Sequence, residues 1–181
     1  MKLQTKNMLF AAIFAAILAI CAQIAIPLPF TQVQFSMCIL AVFLIGGILD
    51  IKYGCISVLV YLLLGACGMP VFGKFMGGIG ALLGPTGGYM VAYPLMVIAI
   101  GLGMKLFKKG GFLAYFLSML VSLLICYLFG TVWLAFSAKM SFGAALMAGV
   151  IPFIPFDIIK AALAAYLCIV IKKRMKWSSK A

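Results

Sequence analysis

Residues 112–136 read FLAYFLSMLVSLLICYLFGTVWLAF, without a single Lys, Arg, Asp or Glu. A helix that crosses a bilayer needs about 20 consecutive apolar residues, with a range of roughly 17–25. Comparable apolar runs occupy residues 8–26, 33–49, 53–67, 88–104 and 142–171. The third is short and predicts a helix that borrows from the loop after it. The last is too long for one straight span and contains Pro152 and Pro155, each of which removes a helix donor and clashes with the preceding turn. The pattern predicts an all-α integral membrane protein of six transmembrane helices, the sixth broken at Pro152/Pro155.

The whole chain agrees with its runs. Of 181 residues, 67% are hydrophobic and 9% charged, and the mean hydropathy is +1.31. Soluble domains average about 45–50% apolar and about 25% charged residues, so a water-exposed surface cannot be built here. The length suits one membrane domain over residues 1–181. The N-terminus imitates a signal peptide, but the run at 8–26 exceeds an h-region of about 7–15 residues; it reads as a retained first helix.

A net charge of +12 would suggest nucleic acid in a soluble protein. The basic residues instead sit between apolar runs, and the expected partner is the lipid bilayer, with no nucleic acid. With the N-terminus inside, cytoplasmic segments hold Lys2, Lys6, Lys52, Lys105, Lys108, Lys109, Lys172, Lys173, Arg174, Lys176 and Lys180, and the outer loops only Lys74 and Lys139. That asymmetry predicts cytoplasmic termini and a multi-pass protein of a bacterial cell membrane.

Asp50 and Asp157 are the only acids, and histidine is absent. The commonest general base and the commonest metal ligand are therefore missing, and neither catalysis, a cofactor nor a metal is expected. The six cysteines are scattered through the apolar runs and read as small packing residues. Gly68-Met69-Pro70-Val71-Phe72-Gly73-Lys74 imitates the start of a phosphate-binding loop, but Phe75 stands where Ser or Thr would hold magnesium. The chain is not expected to hydrolyse ATP itself.

The strongest site signal is Pro152-Phe153-Ile154-Pro155-Phe156-Asp157-Ile158-Ile159-Lys160. From Lys172 outward, Asp157 lies about 22 Å and Lys160 about 18 Å away at about 1.5 Å per residue, well inside a core about 30 Å thick. A charge there costs about 2.5–3.5 kcal/mol on insertion scales. At i, i+3 the two share a helix face, and two readings stand: a self-satisfying ion pair, or a pocket at a broken helix where Asp157 caps the inner half. Such a pocket suits a small polar molecule that both donates and accepts.

Other polar residues are less specific. Gln23, Gln32 and Gln34 flank the first outer loop, where Pro27-Leu28-Pro29 stops the first helix, and can reach a pocket mouth. Tyr89 and Trp133 fall near the outer interface, as ligand contacts or as an aromatic belt; Trp177 reads as a cytoplasmic anchor. Asp50 and Lys52 occupy a tight inner turn. Between 68 and 88 lie eight glycines, either a lid of close-packed backbone or a GxxxG packing surface (Gly73/Gly77, Gly80/Gly84, Gly84/Gly88). On the first helix, Ala11, Ala15 and Ala19 form one i, i+4 row and Ala12 and Ala16 another, surfaces that admit a close partner helix.

Three stretches carry a resemblance: Gly65-Ala66-Cys67-Gly68-Met69-Pro70-Val71-Phe72, Gly84-Pro85-Thr86-Gly87-Gly88-Tyr89, and residues 151–161 around Asp157 and Lys160. In order and spacing the chain resembles the BioY family, the biotin-specific substrate-binding subunits (S components) of energy-coupling factor transporters. The resemblance implies a six-helix S-component fold that captures biotin from outside, partnered by a membrane coupling protein (T component) and two cytoplasmic ATPases. It implies Asp157 and Lys160 as the charged pocket residues and Ala11, Ala12, Ala15, Ala16 and Ala19 as the docking surface. Biotin's chemistry then suggests Asp157 for the ureido N–H groups, Lys160 for the ureido oxygen or the valerate carboxylate, and Gly84, Thr86, Gly87 and Tyr89 as a closing segment, with Trp133 and Gln34 kept as further candidate contacts from their place near the outer face. Phe156 replaces a usual Gly, Cys38 aligns with a usual Gln, and Lys74-Phe75-Met76 replaces small residues. The rival reading is a proton-coupled secondary carrier using Asp157, against which no internal repeat is evident.

Overall fold

A computed structural model describes residues 3–26, 33–107 and 111–175. Pro27-Leu28-Pro29, Gln32, Trp177 and Lys2, Lys108, Lys109, Lys176 and Lys180 lie outside the described residues. The apolar runs fold into helices, the arrangement that satisfies every backbone N–H and C=O internally in lipid. The order is α1 (Leu3–Gln23), α2 (Cys38–Ile48), α3 (Ile51–Ala66), α4 (Ile79–Leu83), α5 (Gly87–Leu106), α6 (Phe112–Ser137), α7 (Phe142–Gly149) and α8 (Ile154–Met175). Strands β1 (Ala25–Ile26) and β2 (Phe35–Ser36) pair antiparallel between α1 and α2.

The expected six helices thus become eight among the described residues. α1, α5, α6 and α8 each have the length and hydropathy to cross a membrane. α2, at 11 residues, spans about 16 Å at about 1.5 Å per residue and depends on the β1–β2 hairpin to extend it. α3 grows backward to Ile51, not forward into the following loop, because Asp50 in extended backbone starts it just after α2 ends.

The long sixth run divides. Ser141 caps α7 by accepting from the Ala144 N–H at 3.3 Å, and the helix ends at Gly149. Residues 150–153, Pro152 among them, are turn, and α8 then restarts. Pro155 is the second residue of α8, where a missing N–H removes no intrahelical bond. Asp157 does not cap the helix as expected: its backbone N–H donates to Phe153 O at 2.9 Å, so it sits within the first turn.

α2 lies at the centre, against α1, α5 and α8, with Ala41, Val42, Phe43 and Ile45 fully buried. Glycine allows this closeness: Gly47 faces Cys168 Sγ and Gly46 faces Ile100, with no room for a Cβ at either. Cys38, Cys126 and Cys168 are buried packing residues, whereas Cys21 and Cys55 are half-buried and Cys67 is exposed.

Candidate functional site

A cavity of about 80 Å³ opens between α8, α6, α5, the start of α2 and the 68–86 segment. Its polar end is built by α8. Asp157 is 1% exposed and Lys160 6%, one helical turn apart, and Lys160 Nζ donates to Asp157 Oδ1 at 2.9 Å. The other carboxylate oxygen, Oδ2, accepts from the Tyr127 hydroxyl of α6 at 2.7 Å. Lys160 also donates to the Ser36 carbonyl of β2 at 2.8 Å and lies 4.0 Å from the centre of the Phe35 ring. The pair therefore exists, which leaves its second role to be decided by what remains of its bonding capacity.

A carboxylate offers about four lone-pair sites and an ammonium three donors. Tyr127 and Lys160 use one site on each oxygen of Asp157, leaving further acceptor capacity on the carboxylate. Lys160 spends two donors, on Asp157 and Ser36, and keeps a third. The site can thus accept an N–H bond at Asp157 and donate to a neighbouring oxygen from Lys160. That is the pattern of a urea-type group. The remaining lining is apolar or aromatic, with Val33, Ile39, Tyr61, Phe72, Met90, Tyr93 and Phe153 among it, which suits a hydrocarbon or thioether body.

The glycine-rich segment covers this cavity. Phe72, 1% exposed, stands edge-on to Tyr61 with ring centres 5.5 Å apart and rests on Gly65, where any Cβ would strike its ring. The Gly78 N–H donates to Gly65 O at 2.6 Å, and Phe72 N–H to Met76 O at 3.0 Å. Gly77 abuts the backbone of Gly68 and Met69. Of the two readings of the glycines, the GxxxG surface is not supported at α4, which is five residues long and whose Gly80 has nothing near its missing Cβ.

Of the sequence-predicted residues, Asp157, Lys160, Gln34, Thr86 and Tyr89 line the cavity together. Tyr89 is buried and donates to Gly149 O at 3.0 Å, linking α5 to the last residue of α7. Trp133, Gly84 and Gly87 are not in the lining. Trp133 Nε1 instead donates to Gly84 O at 2.9 Å, and its side chain fills the space beside Gly88. It fastens the 84–88 turn to α6. Tyr127, Tyr61, Tyr93, Ser36 and Cys38 were missed. The available signal was the position of the tyrosines, whose hydroxyls sit in mid-run where an aromatic belt has no use for them.

The alanine rows also divide. Ala11 and Ala15 are 3% and 5% exposed and face inward. Ala12 and Ala16 are exposed and Ala19 is half-buried. The difference is rotational: helix neighbours one position apart point about 100° away from each other.

Comparison with known proteins agrees with the geometry. The probable biotin transporter BioY of Pyrococcus horikoshii is 39% identical over 168 residues, covering 91% of this chain and 95% of that one. The biotin transporter BioY of Thermotoga maritima is 39% identical over 168 residues, covering 93% and 96%. Among solved structures, the S-component for biotin from an ECF-type ABC transporter is 28% identical, covers 94% of this chain and 92% of that one, and superposes with a TM-score of 0.88. The S component of a bacterial ECF transporter, 20% identical with a TM-score of 0.51, shares the fold. The BioY family model matches residues 1–177, so the chain, with its buried Asp157–Lys160 site, belongs to the BioY family.

Proposed function

We propose that this protein captures biotin at the outer face of a bacterial plasma membrane, as the substrate-binding subunit of an ATP-driven energy-coupling factor transporter. The observation that carries the reading is the unspent bonding capacity of Asp157 and Lys160. Each edge of biotin's ureido ring presents an N–H donor beside the carbonyl oxygen, matching an acceptor site on Asp157 beside a donor on Lys160. Charge-assisted bonds of this kind are about twice as strong as neutral ones. Tyr61, Phe72, Tyr89, Tyr93 and Phe153 line the space for the thioether ring and valerate chain, and no cofactor is required.

The membrane topology that fits is six crossings with cytoplasmic termini: α1, α2, α3, α5, α6 and α8, with α4 and α7 in the outer half. Lys105, Lys172, Lys173 and Arg174 then cluster on the cytoplasmic side, where Lys172 lies 5.5 Å from the Tyr115 ring at the start of α6. ATP is hydrolysed by two separate cytoplasmic subunits. A membrane coupling protein docks against the exposed Ala12 and Ala16 of α1, where small residues admit a close helix.

Mass spectrometry of the ligand retained on purification, followed by calorimetric titration, tests the reading. We expect biotin, bound at or below about 10 nM, equivalent to about 11 kcal/mol. No binding at micromolar biotin would refute it.

A further inference from the structure

We propose that Gln23 is a positioning residue: it fixes the cover of the cavity, residues 69–76, and so sets how long a ligand is held. This rests on the reading that the cavity takes biotin. Gln23 does not line the cavity. It is the last residue of α1, and its carboxamide reaches across to the cover. Nε2 lies 3.4 Å from Pro70 O, 3.1 Å from Phe72 O and 3.3 Å from Ala19 O of its own helix. Oε1 accepts from the Phe75 N–H at 2.9 Å. One side chain thus grips the cover on both sides of its turn, by carbonyls before it and an amide after it.

A second observation says the grip is needed. Lys74 and Phe75 both adopt left-handed backbone, with φ of 60° and 56°. Non-glycine residues avoid that region, and they stay there only where the surroundings hold them. The Phe75 amide is held by Gln23. The residues that this segment contributes to the cavity are Phe72, Gly73 and Met76, so the anchor acts through them and never touches the ligand. Because α1 also carries the exposed Ala12 and Ala16, the same side chain connects a partner-accessible helix to the cover. A shift of α1 would move the cover with it.

Two variants of the full chain test this. Gln23→Met keeps the length and removes all the bonds; Gln23→Glu keeps the acceptor for the Phe75 N–H and loses the donors. With radiolabelled biotin, we expect dissociation to accelerate about tenfold to a hundredfold in Gln23→Met, from the loss of several bonds of modest net strength, and by less in Gln23→Glu. Association should change by less than about threefold. Hydrogen exchange in the ligand-free protein gives a readout independent of biotin: the Phe75 amide should exchange faster in Gln23→Met and stay protected in Gln23→Glu. Dissociation within about twofold of wild type, or unchanged exchange at Phe75, would overturn the proposal. So would equal effects of the two variants. Wild-type protein that fails to bind biotin would sink the assigned ligand, while the exchange experiment still decides the role of Gln23. Should Gln23→Met not fold, Gln23→Glu decides alone, since its dissociation must still exceed wild type.

Discussion

Asp157→Asn removes the charge at the site with the least change of shape. In the native protein Oδ1 accepts from Lys160 at 2.9 Å and Oδ2 from Tyr127 at 2.7 Å, and further acceptor capacity remains on the carboxylate for a ligand N–H. Asparagine keeps one acceptor oxygen and turns an NH2 group toward a donor. Whichever way the amide lies, the ureido N–H loses its charged acceptor. Loss of a hydrogen bond to a charged group costs about 1.5–3 kcal/mol, so we expect affinity to fall roughly tenfold to over a hundredfold. Lys160 keeps Ser36 O at 2.8 Å and the Phe35 ring at 4.0 Å but loses its counter-charge.

An unpaired buried charge destabilises by about 3–5 kcal/mol, so lowered affinity alone does not separate ligand contact from damage to the fold. The double variant Asp157→Asn/Lys160→Met does. Removing both charges should restore much of the ligand-free melting temperature, because charge desolvation disappears with the charges. Biotin affinity, by calorimetric titration, should stay low. A double variant that melts near wild type and binds biotin with wild-type affinity would refute the assignment. These two residues would then hold α8 to β2 and nothing more.

Tyr127→Phe removes the 2.7 Å bond to Asp157 while leaving the ring; we expect affinity about tenfold lower, on the scale of one bond to a charged group, measured by equilibrium binding. Wild-type affinity would exclude Tyr127 from orienting the carboxylate. On α1, Ala12→Trp should reduce uptake into cells while purified protein still binds biotin, whereas Ala15→Trp, at a site 5% exposed, should lower melting temperature and binding together because overpacking typically costs about 1–3 kcal/mol or more. The opposite pattern would return the docking role to the inner row.

The sequence made the membrane class legible because long charge-free runs have one physical solution in lipid. Asp157 and Lys160 stood out for the same reason: ionisable groups that deep are costly and rarely idle. What it hid depends on rotation and register. The i, i+4 rows on α1 were visible, but nothing in the alanines themselves says which row faces the bundle. Tyr127 was invisible as a partner because its contact to Asp157 spans 30 positions. The prolines suggested a break at Pro152/Pro155, but the helix stops at Gly149 and restarts at Ile154 with Pro155 inside it, a placement that depends on Ser141 starting α7 and Gly149 ending it. The place of Trp133 outside the cavity lining was hidden for a related reason. Its partner, Gly84 O, is a backbone atom with no sequence signature.

The bonding at Asp157 and Lys160 shows why the site can be both stable and receptive. A carboxylate and an ammonium this deeply buried must be satisfied when no ligand is present, or the helix carrying them would be lost from the fold. Tyr127 from α6 and the Ser36 carbonyl from β2 supply what α8 cannot supply for itself, so three elements meet at one pair of charges. Neither contact exhausts the group it satisfies. A ligand can therefore add bonds to Asp157 and Lys160 without breaking those already made, with both groups held in place before it arrives. Affinity gained on a preorganised site is not offset by ordering the site. By the same logic the motion needed for entry falls to the cover: α8 and α6 are locked together at Asp157, whereas residues 69–76 are tied to α1 through the side chain of Gln23.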